Sequence, residues 1–195
     1  VEEIKAALAV LENNGMQKKE ITILHCNTEY PTPYEDVNLN AFYQLKELFS
    51  DYNLGFSDHS AGYFAGLAAV PYGITFIEKH FTLNKNFEGP DHKASVTPEE
   101  LKLLCEGIRA VEKSLGSSEK MVTASEAKNK IVARKSIIAA RPIKKGETYT
   151  TENLTTKRPG NGISPMCWYD ILGKDAEMDF EEDQLIQDSR FSNQE

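Results

Sequence analysis

Two histidines stand at matching places in two apolar stretches: His59 closes GFSDH (residues 55–59) and His80 closes FIEKH (76–80), 21 residues later. Imidazoles bind borderline divalent cations. Two of them at one rim could hold an ion and leave positions open for water and substrate. The spacing is about one strand-plus-helix unit, so parallel neighbouring strands would bring both rings together. Taken singly, each histidine is as well explained as a satisfied core or loop residue; the pairing at this spacing is what favours a shared ion. Ser57 shares the face of His59 and could donate to a bound anion. Asp58 points to the other side of an extended strand, where a surface or supporting role fits equally. Glu78 has the parity of His80, which suits a further ligand, a hydrogen-bond partner or, most simply, a salt bridge.

Three further stretches carry polar chemistry. In NFEGPDHKAS (86–95), Gly89 and Pro90 hold a turn that could aim Asp91 back at the rim, to bind sugar hydroxyls or move a proton. His92 is a lesser candidate for a third ligand, since it lies one residue off the direction of Asp91. HCNTEYPTP (25–33) offers His25, Asn27, Thr28 and Tyr30 at another strand end, where amides and hydroxyls suit a phosphate or carboxylate. Asn and Thr are also ordinary turn formers. KRPGNG (157–162) joins Lys157 and Arg158 to a glycine-rich turn, and arginine presents a planar fork to oxyanions and carbonyls.

These residues need elements to position them. Val1, Ile4, Leu8 and Leu11 recur at helical spacing and Asn-Asn-Gly at 13–15 stops that helix. ITILHC (21–26) reads as a strand, 38–50 as a helix, LGFSDH as a strand, AGYFAGLAAV as a small-residue helix and ITFIEKH as a strand. Thr97 and Glu100 make a capping box for a helix running to about 115. This alternation is the rhythm of parallel β/α units. Three strands alone leave open edges, so the expectation is an α/β fold in which residues 1–116 are the later part of a TIM barrel whose first strands lie outside this sequence. The arrival of chemical residues at successive strand ends favours a barrel over a doubly wound sheet. Residues 117–130 read as a linker, and 131–195, broken by glycine and proline, as a small β-rich module.

Composition narrows the classes. The 195 residues are 40% hydrophobic with a formal charge of −8, which argues against a nucleic-acid or anionic-membrane partner. No apolar run approaches the roughly 18 residues of a membrane span. Three scattered cysteines without a CxxC point away from a disulfide framework or structural zinc and towards a reducing cytoplasm. The opening VEEIKAALAV is already inside a helical pattern, with no start methionine or signal peptide, so the chain reads as the later part of a longer protein.

Taken in order, LHCNTEYPTPYEDVNLNA, GFSDHSAG, IEKHFTLN, GPDHKAS and KRPGNG strongly resemble the sialic acid synthase family, which includes N-acetylneuraminate and legionaminate synthases. The resemblance covers essentially the whole chain and implies a partial TIM barrel followed by a C-terminal antifreeze-like (SAF) domain. It implies condensation of phosphoenolpyruvate with an N-acetylated mannose-type sugar in its open aldehyde form. His59 and His80 would ligate a divalent metal, typically Mn²⁺, with Mg²⁺ or Co²⁺ as alternatives. Ser57 would contact phosphoenolpyruvate, and Tyr30 and Asp91 would line the sugar site. Arg158, from the partner chain of a domain-swapped homodimer, would hold the N-acetyl group. Some members carry Asn two residues before the tyrosine, contacting phosphoenolpyruvate; this chain has Thr28 there, with Asn27 beside it, and Thr28 still offers one hydrogen bond. The family's phosphoenolpyruvate lysines and a catalytic glutamate lie on earlier strands, so the 195-residue chain alone is expected to be inactive. Two other readings use the same residues: a metal-dependent TIM-barrel aldolase or hydrolase, and a non-enzymatic carbohydrate-binding protein, for which the threonines of TYTTENLTT (148–156) are the superficial attraction.

Overall fold

A computed structural model describes residues 1–191. The chain divides into two compact units, residues 1–118 and 119–195.

In the first unit, α1 (Glu2–Asn13), β1 (Thr22–Cys26), α2 (Tyr34–Val37), α3 (Ala41–Leu48), β2 (Asn53–Asp58), α4 (Phe64–Ala69), β3 (Phe76–Lys79) and α5 (Pro98–Leu115) follow one another. The strands form a parallel sheet in the order β1-β2-β3. Helices lie on one face of it. Ile21, Ile23, Leu54 and Phe56 pack there with Leu8 of α1, Phe42 and Leu45 of α3, and Ala65 and Ala69 of α4. Residues of the other parity, Leu24 and Cys26, Gly55 and Ser57, Phe76 and Glu78, turn to the opposite face, as the period of two demands. Phe76 is 54% exposed there.

Boundaries differ from the sequence expectation where local chemistry intervenes. The proline-rich loop after β1 contains the single turn α2, and Asn38 in the left-handed region (φ 50°) separates it from α3, so the helix expected over 38–50 is shorter. Short polar side chains tolerate that conformation better than others. The start of α5 has the expected capping box, with Thr97 Oγ accepting from the Glu100 N–H and Glu100 accepting from the Thr97 N–H.

The segment 117–130, read from sequence as a linker, carries most of α6, Ala124–Ala133, with its own capping box from Thr123 and Glu126 and no buried residue. Its weak apolar periodicity is that of an exposed helix, which sequence pattern does not separate from a polar linker. Beyond it, β4 (Ser136–Ala139) and β5 (Leu154–Lys157) pair antiparallel, and bridges Ile138–Leu185, Ile143–Phe180 and Thr148–Asp175 extend the pairing. The short helix α7 (Trp168–Ile171) adds Ile171 to a core with Ile137, Ile143, Tyr149, Phe180 and Ile186. The threonine-rich stretch forms no flat array: Thr150 and Asn153 hold a turn and only Thr155 and Thr156 lie on β5. Among the described residues no helix is long and apolar enough to cross a membrane, and no disulfide forms.

Candidate metal and substrate site

β2 and β3 pair with Ser57 opposite Glu78 and Asp58 opposite Lys79. His59 and His80 are the next residue on each strand, at the carboxyl ends. Their ring centroids lie 5.0 Å apart at an interplanar angle of 73°. Tyr30, from the loop after β1, brings its ring to 4.1 Å from His59 and 5.5 Å from His80. All three strand ends therefore contribute to one rim.

Partners orient the rings. His59 Nδ1 is 2.6 Å from the Asn27 carbonyl oxygen, which can only accept, so Nδ1 donates there and Nε2 is the ring nitrogen left to face the rim. That Nε2 lies 3.3 Å from Ser57 Oγ, and Ser57 Oγ donates to the Glu78 carboxylate. The His59 carbonyl accepts from the Thr32 N–H and the His80 carbonyl from the Val96 N–H, which fixes the backbone at both rings. His80 Nδ1 faces Asp91 Oδ2 at 3.7 Å. Asp91 is held by its own carbonyl, which accepts from the Ala94 and Ser95 N–H groups and from Ser95 Oγ. Desolvation, reinforced by Cys26, Asp91 and Glu78, raises the Tyr30 phenol above its ordinary range, so it is a neutral donor at physiological pH.

The spacing of the two rings is compatible with a shared divalent cation. With metal–nitrogen bonds of about 2.1 Å, two imidazoles on one ion have centroids at most about 6.4 Å apart, and 5.0 Å lies within that span. Among the described residues no group of three His, Cys, Asp or Glu is placed to hold an ion.

Other expectations are corrected. His25 belongs to the helix-covered face: its Nε2 is 2.8 Å from the Val37 carbonyl and its ring packs against Phe42 and Phe56. His92 is engaged by Thr82 Oγ, 2.8 Å from its Nδ1, and by the Phe87 ring, edge-on to it, and among the described residues it joins no group of three candidate ligands. Among the described residues Glu78 forms no salt bridge; it accepts from Ser57. Asp58 is not a surface residue. It is fully buried and faces Lys79 Nζ at 3.1 Å, with side chains 0% and 3% exposed. Burial lowers the Lys79 ammonium from its ordinary value, and the Asp58 carboxylate works against that shift. Sequence reading passed over Lys79; a lysine inside an apolar strand, one residue before a candidate ligand, was the available signal. Thr28 is exposed just beyond β1. Arg158 belongs to the second unit, where its Nε donates to the Ala133 carbonyl at 3.0 Å, while Lys157 pairs with Asp183 at 2.6 Å.

A profile of the NeuB family matches residues 1–120 and one of the SAF domain matches residues 134–192. The chain belongs to the NeuB family. It is 51% identical over 186 residues to N,N'-diacetyllegionaminic acid synthase of Campylobacter jejuni, a match covering 95% of this chain and 55% of that protein. It is 35% identical over 171 residues to human N-acetylneuraminate-9-phosphate synthase, covering 87% and 48% respectively. The crystal structure of the Bacillus subtilis spore coat polysaccharide biosynthesis protein SpsE matches with a TM-score of 0.55 at 33% identity, over 100% of this chain and 59% of that one. The chain thus spans about half the length of the curated relatives it matches, and it is a C-terminal portion of this family's sequence.

Proposed function

We propose that the chain is part of a nonulosonic acid synthase that condenses phosphoenolpyruvate with an N-acetylated mannose-type sugar and releases phosphate. The observation that carries this reading is the pair of imidazoles 5.0 Å apart with the Tyr30 ring beside both. The family relationship supports the reaction class. The similarity to a diacetyllegionaminic acid synthase favours a 2,4-diacetamido-6-deoxy sugar over N-acetylmannosamine. In this reading β1, β2 and β3 are later staves of a TIM barrel; parallel order, helices on one face and a site at the carboxyl ends support that placement.

His59 Nε2 and a ring nitrogen of His80 would hold the ion, Mn²⁺ in this proposal. When bound, such an ion supplies Lewis acidity towards the sugar aldehyde oxygen. The chain's own groups do the rest of their share by position. The neutral Tyr30 phenol donates to the sugar, and its ring shields both imidazoles from water. Asp91 accepts from sugar hydroxyls beside His80. Ser57 Oγ and Thr28 Oγ donate to phosphoenolpyruvate oxygens, Ser57 exchanging its bond to Glu78 for one to the substrate. Arg158, supplied by a second copy in a domain-swapped homodimer, takes the N-acetyl carbonyl in its planar fork. In the reaction, C3 of phosphoenolpyruvate bonds to the aldehyde carbon, water adds at C2, and phosphate leaves with cleavage of the C–O bond.

The test is phosphate release by the intact protein with phosphoenolpyruvate and each sugar, with Mn²⁺ and after chelation. The expected result is turnover that chelation abolishes and that His59→Ala or His80→Ala lowers by more than about 100-fold. Turnover without phosphoenolpyruvate, or undiminished in both histidine variants, would overturn the reading.

A further inference from the structure

We propose that the buried Asp58–Lys79 ion pair is a positioning device that sets the spacing of His59 and His80. The inference rests on the reading of those histidines as metal ligands.

Asp58 and Lys79 form the last paired rung of the β2–β3 ladder, and each is followed at once by a candidate ligand. The histidines therefore lie past the last rung, where no β2–β3 ladder pairing holds the two chains in register. The ion pair takes over that task from the helix-covered side. Lys79 Nζ reaches from β3 to Asp58 Oδ2 on β2 at 3.1 Å. The same ammonium donates to the Ser60 carbonyl, and Asp58 Oδ1 accepts from the Ser60 N–H at 2.9 Å and from Ser60 Oγ at 2.7 Å. Ser60 is thus held through its amide, its hydroxyl and its carbonyl, and His59 sits between two anchored residues. Asp58 Oδ2 has no hydrogen-bond partner beyond that ammonium among the described residues.

Burying two charges is a poor way to gain stability, because desolvation consumes most of the Coulombic attraction. An apolar pair of similar size would serve packing as well. What an apolar pair cannot do is tie two strand ends at a defined distance while binding the backbone of the next residue. Partners lying behind a metal ligand commonly control affinity through its orientation.

The experiment uses the intact protein with Mn²⁺ as probe, bound Mn²⁺ being read by electron paramagnetic resonance beside a denaturant midpoint. The variant Asp58→Asn/Lys79→Met removes both charges and keeps an acceptor for Ser60. The expected result is a midpoint near wild type with Mn²⁺ affinity weakened about 10- to 100-fold, and Lys79→Arg, which restores the tie, recovering part of it. Wild-type Mn²⁺ affinity in the folded double variant overturns the proposal. Should the double variant not fold, Ser60→Ala and Asp58→Asn alone decide: unchanged affinity in both overturns it, and a several-fold loss in either supports it. Failure of the underlying reading looks different, as wild-type protein that binds no Mn²⁺ or His59→Ala/His80→Ala protein that binds it normally.

Discussion

Gly55 is the position where the sheet has least room. It pairs with Phe76 across β2 and β3, two rungs before Ser57 and Glu78 and four residues before His59. A methyl group added there would lie 2.8 Å from the Phe76 carbonyl oxygen, 3.0 Å from Phe76 Cβ and 2.4 Å from Leu24 Cδ2. The Leu24 side chain can rotate away. The carbonyl cannot, because moving it about 0.6 Å to ordinary contact at 3.4 Å displaces β3 from its register. Overpacking of this kind costs about 1–3 kcal/mol, against about 0.5–1 kcal/mol returned by replacing a strand glycine. Gly55→Ala is therefore expected to lower the stability of the intact protein by about 1–2 kcal/mol. It should also weaken Mn²⁺ binding, since the displaced strand carries His80. Gly107→Ala on α5 is the control: its nearest neighbours are the Leu67 methyl groups, at 2.7 and 3.1 Å, which can move, and alanine favours the helix. Urea titration of both variants reads the difference. A Gly55→Ala midpoint at or above wild type, with Gly107→Ala lower, would refute the steric argument.

Tyr149 is 1% exposed and its hydroxyl finds no hydrogen-bond partner among the described residues. Tyr149→Phe is accordingly expected to be neutral or stabilising by about 1 kcal/mol in a denaturant titration at pH 7. Desolvation first, then Asp188, pushes that phenol up to about 12 from 10.0. A folded value above the unfolded one means the contribution is complete below pH 10 and lost as pH rises through the folded value. Stability should fall between about pH 10 and 12 in wild type, and less steeply in Tyr149→Phe. Thr97→Ala removes the hydroxyl that caps α5 and should cost about 1 kcal/mol, read as a lowered midpoint. Asp91→Asn should raise the KM for the sugar about 10-fold, as expected for a lost charged hydrogen bond, with Mn²⁺ affinity little changed in the binding assay.

Much of the site was legible in the chain because it is written in short-range pattern. Alternation placed Ser57 with His59 and Glu78 with His80, and the 21-residue interval put both histidines one parallel unit apart. The same periodicity gave the strands within one or two residues, and the Thr97–Glu100 spacing marked where α5 begins. What pattern left open was which partner a polar group meets. His25 suited an anion site and His92 was a lesser candidate for a third ligand, yet one is claimed by the Val37 carbonyl and the other by Thr82. For Asp58 the surface and supporting roles stayed equally open, because alternation says only that it faces away from His59, not that a lysine from the neighbouring strand lies there.

The sequence by itself determined the parallel β/α order, the two-part organisation of the chain and the residues that end each strand, since apolar period and capping chemistry act over a few residues. Only the tertiary structure decided the hydrogen bond from His59 Nδ1 to the Asn27 carbonyl, the hydrogen bond from Ser57 to Glu78 and the buried tie between Asp58 and Lys79. Those depend on strand register and on the entry of loops from distant parts of the chain, where a displacement of an ångström makes or breaks a hydrogen bond.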